Sequence, residues 1–381
     1  MVELVRHIES EFQLREVMVD FWTNHFNVYA RKDEVPLVMG DYVERVIRPH
    51  SLGRFEDLLR ETARHPAMLR YLDNASSRAK PKHGQSGLPG ITENYARELL
   101  ELHTLGVDGG YQQGDVIAVA RILTGWTFQP SPDGRSYEFR FERRLHDRKA
   151  KKALGLVFPA GGQEDEGLVL LHFLALHPST AEHLARKLCL RFVADEPPSE
   201  CVAVTSAAFL ASSGDIKTTL SALFSSASFW APEHRKNKLK TSLEFMLSAV
   251  RGTGARLAGT TELARIASEL GEVPFLEPSP TGRSEESSYW LGSFTLARLA
   301  FAQDLAYGRV PGVAFDQRVA LAGGSDPRTL SLSLSGTLLG DGATPQTVTT
   351  IEKAVSAATD ESARWSTGLA LCLSAPEFQW R

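Results

Sequence analysis

Apolar residues along this chain recur at spacings of three and four far more often than at two, and that period predicts helix. In "LREVMVDFWTNHF", Leu14, Val17, Met18, Phe21 and Trp22 fall at i, i+3, i+4, i+7 and i+8, the stripe of one helix face. His25 lies three residues after Trp22 and four after Phe21, so an imidazole closes a stripe that a leucine would extend. The same period predicts helices near 40–48, 53–61, 66–73, 93–105, 114–124, 166–176, 179–192, 199–212, 215–224, 240–250, 260–270, 289–306 and 347–372. Pro66 and Pro178 sit where a first helical turn tolerates a missing N–H, and Ser213 or Asp215 can cap the helix that follows.

One stretch breaks the period. "GWTFQPSPDGRSYEFRFERRLHDRKAKKALGLVFP" holds a Pro-Asp-Gly turn, alternation in "YEFRFE" and a second β-like run in "ALGLVF", which predicts a small hairpin inserted at about 126–160. Residues 76–90, rich in Gly, Pro, Ser and Lys, predict a mobile surface loop, 277–288 an irregular connector, and 322–346 nothing definite. The expected fold is mainly α, a multi-helix globular array with a small inserted β-hairpin region. Residues 1–255 would form a helical core carrying the insertion, and 256–381 a C-terminal helical segment packed on it.

Composition narrows the classes. With 381 residues, 43% hydrophobic and 23% charged, the chain resembles an ordinary soluble globular protein, and a net charge of -4 offers nucleic acid no long-range attraction. No run approaches the ~18 apolar residues of a spanning helix, and the charged amphipathic start does not read as a secretory signal. Cytoplasm and periplasm both stay open. Cys189, Cys201 and Cys372 form no CxxC pair, and Cys189 and Cys372 lie in apolar helical runs where buried thiols are expected, so neither a disulfide framework nor a zinc ribbon is foreseen.

The candidate chemistry lies in imidazoles on apolar faces. In "ENYARELLELHTLG", Tyr95, Ala96, Leu99, Leu100 and Leu102 define such a face and His103 falls within it. Glu98 points about 140° away on a regular helix, so it cannot chelate an ion together with His103. Arg97 stands between Glu93 and Glu101 as an exposed i, i+4 ladder would place it. His146, with Asp147 beside it, comes from the hairpin. These histidines allow three readings: structural imidazoles bonded to backbone; ligands of a zinc or iron site built from His25, His103 and His146 with Asp147; or acid–base groups acting without metal. No HExxH or ExxH spacing supports the metal, and the chain holds no Walker loop, GxSxG elbow or GxGxxG after a strand. The Ser77-x-x-Lys80 match sits in the 76–90 loop and is discounted, and the basic run Arg143, Arg144, Arg148, Lys149, Lys151, Lys152 reads as a solvated hairpin.

Several segments together carry a family signature: "REVMVDFWTNHFNV", "YVERVIRPHSLGRFEDLLRETARHPAMLRYLDN", "ENYARELLELHTLGVDGGYQQGDVIAVARILTGW", "LALHPSTAEHLARKL", "PSPTGRSEESSYWLGSFTLARLAFAQDLA" and "LSAPEFQWR". In order and spacing they resemble the bacterial domain-of-unknown-function family 1800 over nearly the whole chain. Its members usually carry a further region ahead of the "FWTNHF" helix, so a shortened member or a truncated gene model is expected. The family pattern takes in His25, His50, Asn94, Arg97, Glu98, Glu101, His103, Trp126, His146 and Asp147, while Thr92, Gln112 and Ser242 depart from its usual Asn, Thr and Pro. The resemblance implies a mainly helical fold and a bacterial source, and no activity. It also implies a partner by association, because such proteins are often encoded beside those of domain-of-unknown-function family 1501, which resemble sulfatases and alkaline phosphatases.

Two functions compete. In an enzyme, His103, Glu98, Arg97, His146 and Asp147 would form a buried catalytic site, with His25, His103 and His146 as ligands if a divalent metal such as zinc or iron takes part. In a non-catalytic partner or scaffold of a sulfatase- or phosphatase-like protein, the same groups would form a satisfied internal network. Imidazoles converging on a cavity favour the first, and imidazoles each bonded to backbone the second.

Overall fold

A computed structural model describes residues 2–79, 90–292, 294–314 and 326–381. Most of the loop expected at 76–90, Lys80 included, lies outside the described residues. What is described is mainly α, with three two-stranded antiparallel ribbons among the described residues. Helix Gln13–His25 buries Met18, Phe21, Trp22 and His25 of the expected stripe, but Leu14 is exposed and Val17 only half-buried, and Glu16, Val19 and Asn24 are buried outside it. Helix Phe55–Arg64 buries Phe55, Leu58, Leu59, Thr62 and Ala63, a clean i, i+3, i+4, i+7, i+8 set. The proline starts also behave as expected. Pro66 and Pro178 each open a helix, and the preceding His65 and His177 accept the Ala67 and Ser179 N–H groups through their side chains. Asp215 caps the Thr218 N–H of helix Ile216–Phe224.

Buried apolar side chains form two clusters. The first draws on residues from Met18 to Leu223, and the second joins Leu4 and Ile8 to residues from Leu243 to Phe378. The apolar interior therefore divides between Leu223 and Leu243, and the first helix, Val2–Glu9, belongs with the C-terminal half. Guanidinium groups cross the division. Arg191 reaches Asp20 at 3.5 Å, Glu244 at 2.9 Å and Glu285 at 2.9 Å, and Arg283 reaches Asp20 at 2.7 Å and Glu272 at 2.6 Å.

Local chemistry explains where the structure departs from the periodic reading. The β insertion is two hairpins: Trp126–Pro130 pairs with Tyr137–Phe141, and Lys151–Ala153 with Leu156–Phe158. "ALGLVF" folds back on itself because Leu154 and Gly155 both adopt positive φ, 52° and 82°, as a two-residue hairpin turn demands. The helix expected at 347–372 is two, Pro345–Ala357 and Glu361–Ser374, since the Asp360 carboxylate accepts the Ala363 N–H and starts the chain afresh. Gly292, at φ 99°, separates Ser287–Trp290 from Thr295–Ala306. Within 322–346 a helix runs from Pro327 to Leu338, capped by Asp326, and buried Ser331 and Ser335 beside Leu330 and Leu334 hide its apolar period.

The cysteines require a correction. Cys189 and Cys201 form a disulfide, although their spacing matches no local motif. Helices Pro178–Phe192 and Ser199–Ala211 are joined by a turn containing Pro197 and Pro198, which folds the second helix back and brings the two Cα atoms to 6.3 Å. Only Cys372 is a free buried thiol, and burial raises it to about 12.

Candidate functional site

The segment that carries His103 is not a uniform helix. It starts as α over Asn94–Glu98 and widens to a π-helical turn over Leu99–His103. Helices end with carbonyls that lack intrahelical donors, and the partners found for them here assemble a site. Thr104 Oγ1 donates to the Leu99 oxygen at 2.6 Å and the Gly106 N–H to that of Leu100 at 3.2 Å. His183 Nε2 donates to the Leu102 oxygen at 3.2 Å, and His25 Nε2 to the His103 oxygen at 3.2 Å. A carbonyl can only accept, so both imidazoles carry their proton on Nε2 and present a lone pair at Nδ1.

Lys187, one turn beyond His183 on helix Pro178–Phe192, uses that lone pair: its Nζ donates to His25 Nδ1 at 3.0 Å. The ring centroids of His103 and His183 lie 6.1 and 6.3 Å from that of His25. Phe26, at 4.5 Å from the His25 centroid, Trp22 at 5.4 Å and Phe55 at 6.5 Å make the wall apolar. His103 Nε2 is buried with no hydrogen-bond partner among the described residues.

Burial sets the electrostatics. It lowers His103 to about 3 and His183 to about 4, with the charge of Lys187 adding to both shifts, and it takes His25 well below the ordinary imidazole range. Burial likewise lowers Lys187 to about 8, and Glu285 opposes that shift. The result is neutral imidazoles around an amine within reach of losing its proton near neutral pH. Such an amine can act as a base or a nucleophile.

The other candidates stand apart from this cluster. His146 is buried, but its Nδ1 donates to the Thr124 oxygen at 2.8 Å and its Nε2 meets Glu166 Oε2 at 3.1 Å, where Lys151 Nζ also donates at 2.5 Å. Asp147 accepts from Arg121 Nε at 2.8 Å and from the Lys149 N–H at 2.9 Å, which ties the insertion to helix Gln113–Ile122. Arg97 forms the ladder read from sequence, 3.3 Å from Glu93 and 3.4 Å from Glu101. Glu98 is partly buried; burial and then Glu101 raise it, and Arg97 opposes them.

His25, His103 and His146 do not offer ligand atoms within 4.8 Å of one another. Among the described residues the group that meets this spacing is Glu3, His7 and Glu16, whose carboxylates already receive Arg48 Nη2 at 2.8 Å and Nη1 at 2.9 Å. The structure thus brings His25 and His103 together and adds His183 and Lys187, which sequence reasoning passed over. Their signal was present in "EHLARKL": a histidine and a lysine four apart share a helix face. A lysine on an amphipathic helix reads as solvated by default, and only the packing reveals that this one turns inward.

Compared with known families, the chain matches the model described as "Protein of unknown function (DUF1800)" over residues 2–380. No curated protein and no solved structure matches it.

Proposed function

Because the chain belongs to the DUF1800 family, whose description names no activity, we propose from the geometry alone an enzyme in which the Lys187 amine is the general base. The observation that carries this reading is the 3.0 Å contact of Lys187 Nζ with His25 Nδ1 beside a ring nitrogen of His103 that has no partner among the described residues. A base works best when its pKa lies near the operating pH, and burial has lowered this amine to about 8. His25 takes one N–H of the amine and so directs its lone pair elsewhere, while the Leu102 and His103 carbonyls hold the two flanking imidazoles in one tautomer. These backbone bonds are the ones the scaffold reading expects, and in the enzyme reading they serve to fix the orientation of the His25 and His183 rings. His103 Nε2 would then pair with a polar group of the substrate. Arg97, Glu98, His146 and Asp147 have no direct part in this scheme.

Acetic anhydride competition from pH 6 to 11, read by peptide mass spectrometry, tests it. Lys187 should acylate with a midpoint near 8, whereas ordinary lysines follow ~10.4. A Lys187 that does not react, or that titrates with the ordinary lysines, ends the reading. Elemental analysis of the protein beside His103→Ala checks the metal-dependent form: a stoichiometric zinc or iron lost in the variant would put a metal centre in place of the amine.

A second reading, a non-catalytic partner of a sulfatase- or phosphatase-like protein, is favoured by Tyr289, Leu291, Leu296 and Leu299, large apolar side chains left exposed around the start of helix Thr295–Ala306.

A further inference from the structure

Away from the imidazole cluster, a cavity of about 200 Å³ opens where the two apolar cores meet. Helix Gln13–His25 contributes Val17 and Asp20, and helix Ser242–Gly252 contributes Leu243, Glu244, Leu247 and Arg251. Lys240, Arg191 and Arg381 complete its charged wall.

Of the four cations in that wall, Arg191 pairs with Asp20, Glu244 and Glu285 and Arg381 pairs with Glu244, whereas Lys240 and Arg251 make no ion pair among the described residues. Both carboxylates of the lining are already engaged: Asp20 by Arg283 at 2.7 Å and Arg191 at 3.5 Å, Glu244 by Arg191 at 2.9 Å and Arg381 at 3.0 Å. Arg251, an exposed residue at the rim, gives Nη1 to two neutral carbonyls, those of Ile8 at 2.6 Å and Ser10 at 3.1 Å. Lys240 places its ammonium 3.7 Å from the centroid of the Phe378 ring and makes no ion pair among the described residues. Burial lowers Lys240 to about 8, Glu244 opposes that shift, and Lys236, Arg381 and Arg298 add to it. An ammonium held among like charges gains from an anion that reaches it.

Val17, Leu243 and Leu247 add hydrocarbon to the lining. A cavity of about 150 Å³ holds benzene, so this one has room for a ring or a short alkyl chain with one polar head, and not for a drug-sized ligand.

We propose that this cavity binds a small organic carboxylate, its anionic head at Lys240 and Arg251 and its apolar body against Val17, Leu243 and Leu247. The site is independent of the Lys187 centre and shares no residue with it. A ligand there touches helix Gln13–His25 and helix Ser242–Gly252 at once, so binding also stabilises their junction.

Isothermal titration calorimetry of the full chain with sodium benzoate tests the proposal, with benzamide as the uncharged isostere. Benzoate should bind at least about tenfold more tightly than benzamide, the size of one charge-assisted hydrogen bond. Lys240→Gln should weaken benzoate by about tenfold, and Val17→Phe, which fills the apolar end, should weaken both probes. The comparison of benzoate with benzamide needs only the unaltered protein, so a variant that misfolds does not blunt it. No heat with benzoate, equal affinity for the two probes, or benzoate binding that a folded Lys240→Gln leaves unchanged would each overturn it.

Discussion

His103 and His183 have each given up water for a place beside Lys187, and acid should reveal what that costs. Their folded-state values, about 3 and about 4, lie below the 6.5 of a free imidazole. The unfolded chain therefore binds these protons first, and stability that is complete above pH 6.5 drains away as pH falls toward those lower values. The slope should approach ~1.4 kcal/mol per pH unit for each group. Urea unfolding at pH 7.5, 6.5, 5.5 and 5 reads it before most carboxylates titrate, and His183→Gln should make the dependence shallower. A flat profile over that window would mean that the imidazoles are better hydrated than their burial indicates. Asp20 does not confuse the measurement. Burial alone would raise it, but Arg283 and Arg191 hold it at about 2, so its loss begins only below pH 3.8.

Among helices, the pair Pro178–Phe192 and Ser199–Ala211 does most to place the candidate site, since the first of them carries both His183 and Lys187. The Cys189–Cys201 bond links them across a sequence separation of 12. On the loop-entropy account such a link contributes about 3 kcal/mol. Replacing both cysteines with alanine should lower the melting temperature accordingly, and the unaltered protein in excess dithiothreitol should follow it down. Identical melting with and without reductant would show that the bond contributes nothing to the fold. Helix starts were legible here because caps are local chemistry: proline after His65 and His177, aspartate at 215. The widening at Leu99–His103 was not, because the carbonyls it presents are claimed by side chains from residues 25 and 183.

Between the two cores the fold depends on a small set of buried charges. Arg191, 2% exposed, serves three carboxylates drawn from both sides of the division. Arg191→Met would leave Asp20, Glu244 and Glu285 short of a partner, and breaking a buried ionic cluster from one side costs about 3–5 kcal/mol. Unfolding followed by tryptophan fluorescence and by far-ultraviolet circular dichroism should stay coincident in the unaltered protein and separate in the variant as the halves come apart. Coincident transitions at unchanged denaturant midpoint would show that the apolar contacts alone join them. The helical class, most of the buried faces and the presence of a β insertion could be read along the chain, since each rests on neighbours a few residues apart, and the family could be read from segments spread over nearly its whole length. Periodicity states which face of a helix is buried and is silent about the face it meets. The lysine 162 residues from His25, the partner of Cys189 and the cavity at the junction exist only once distant segments pack. Local hydrophobic pattern carries no record of those encounters, because many pairings of the same faces would bury the same area.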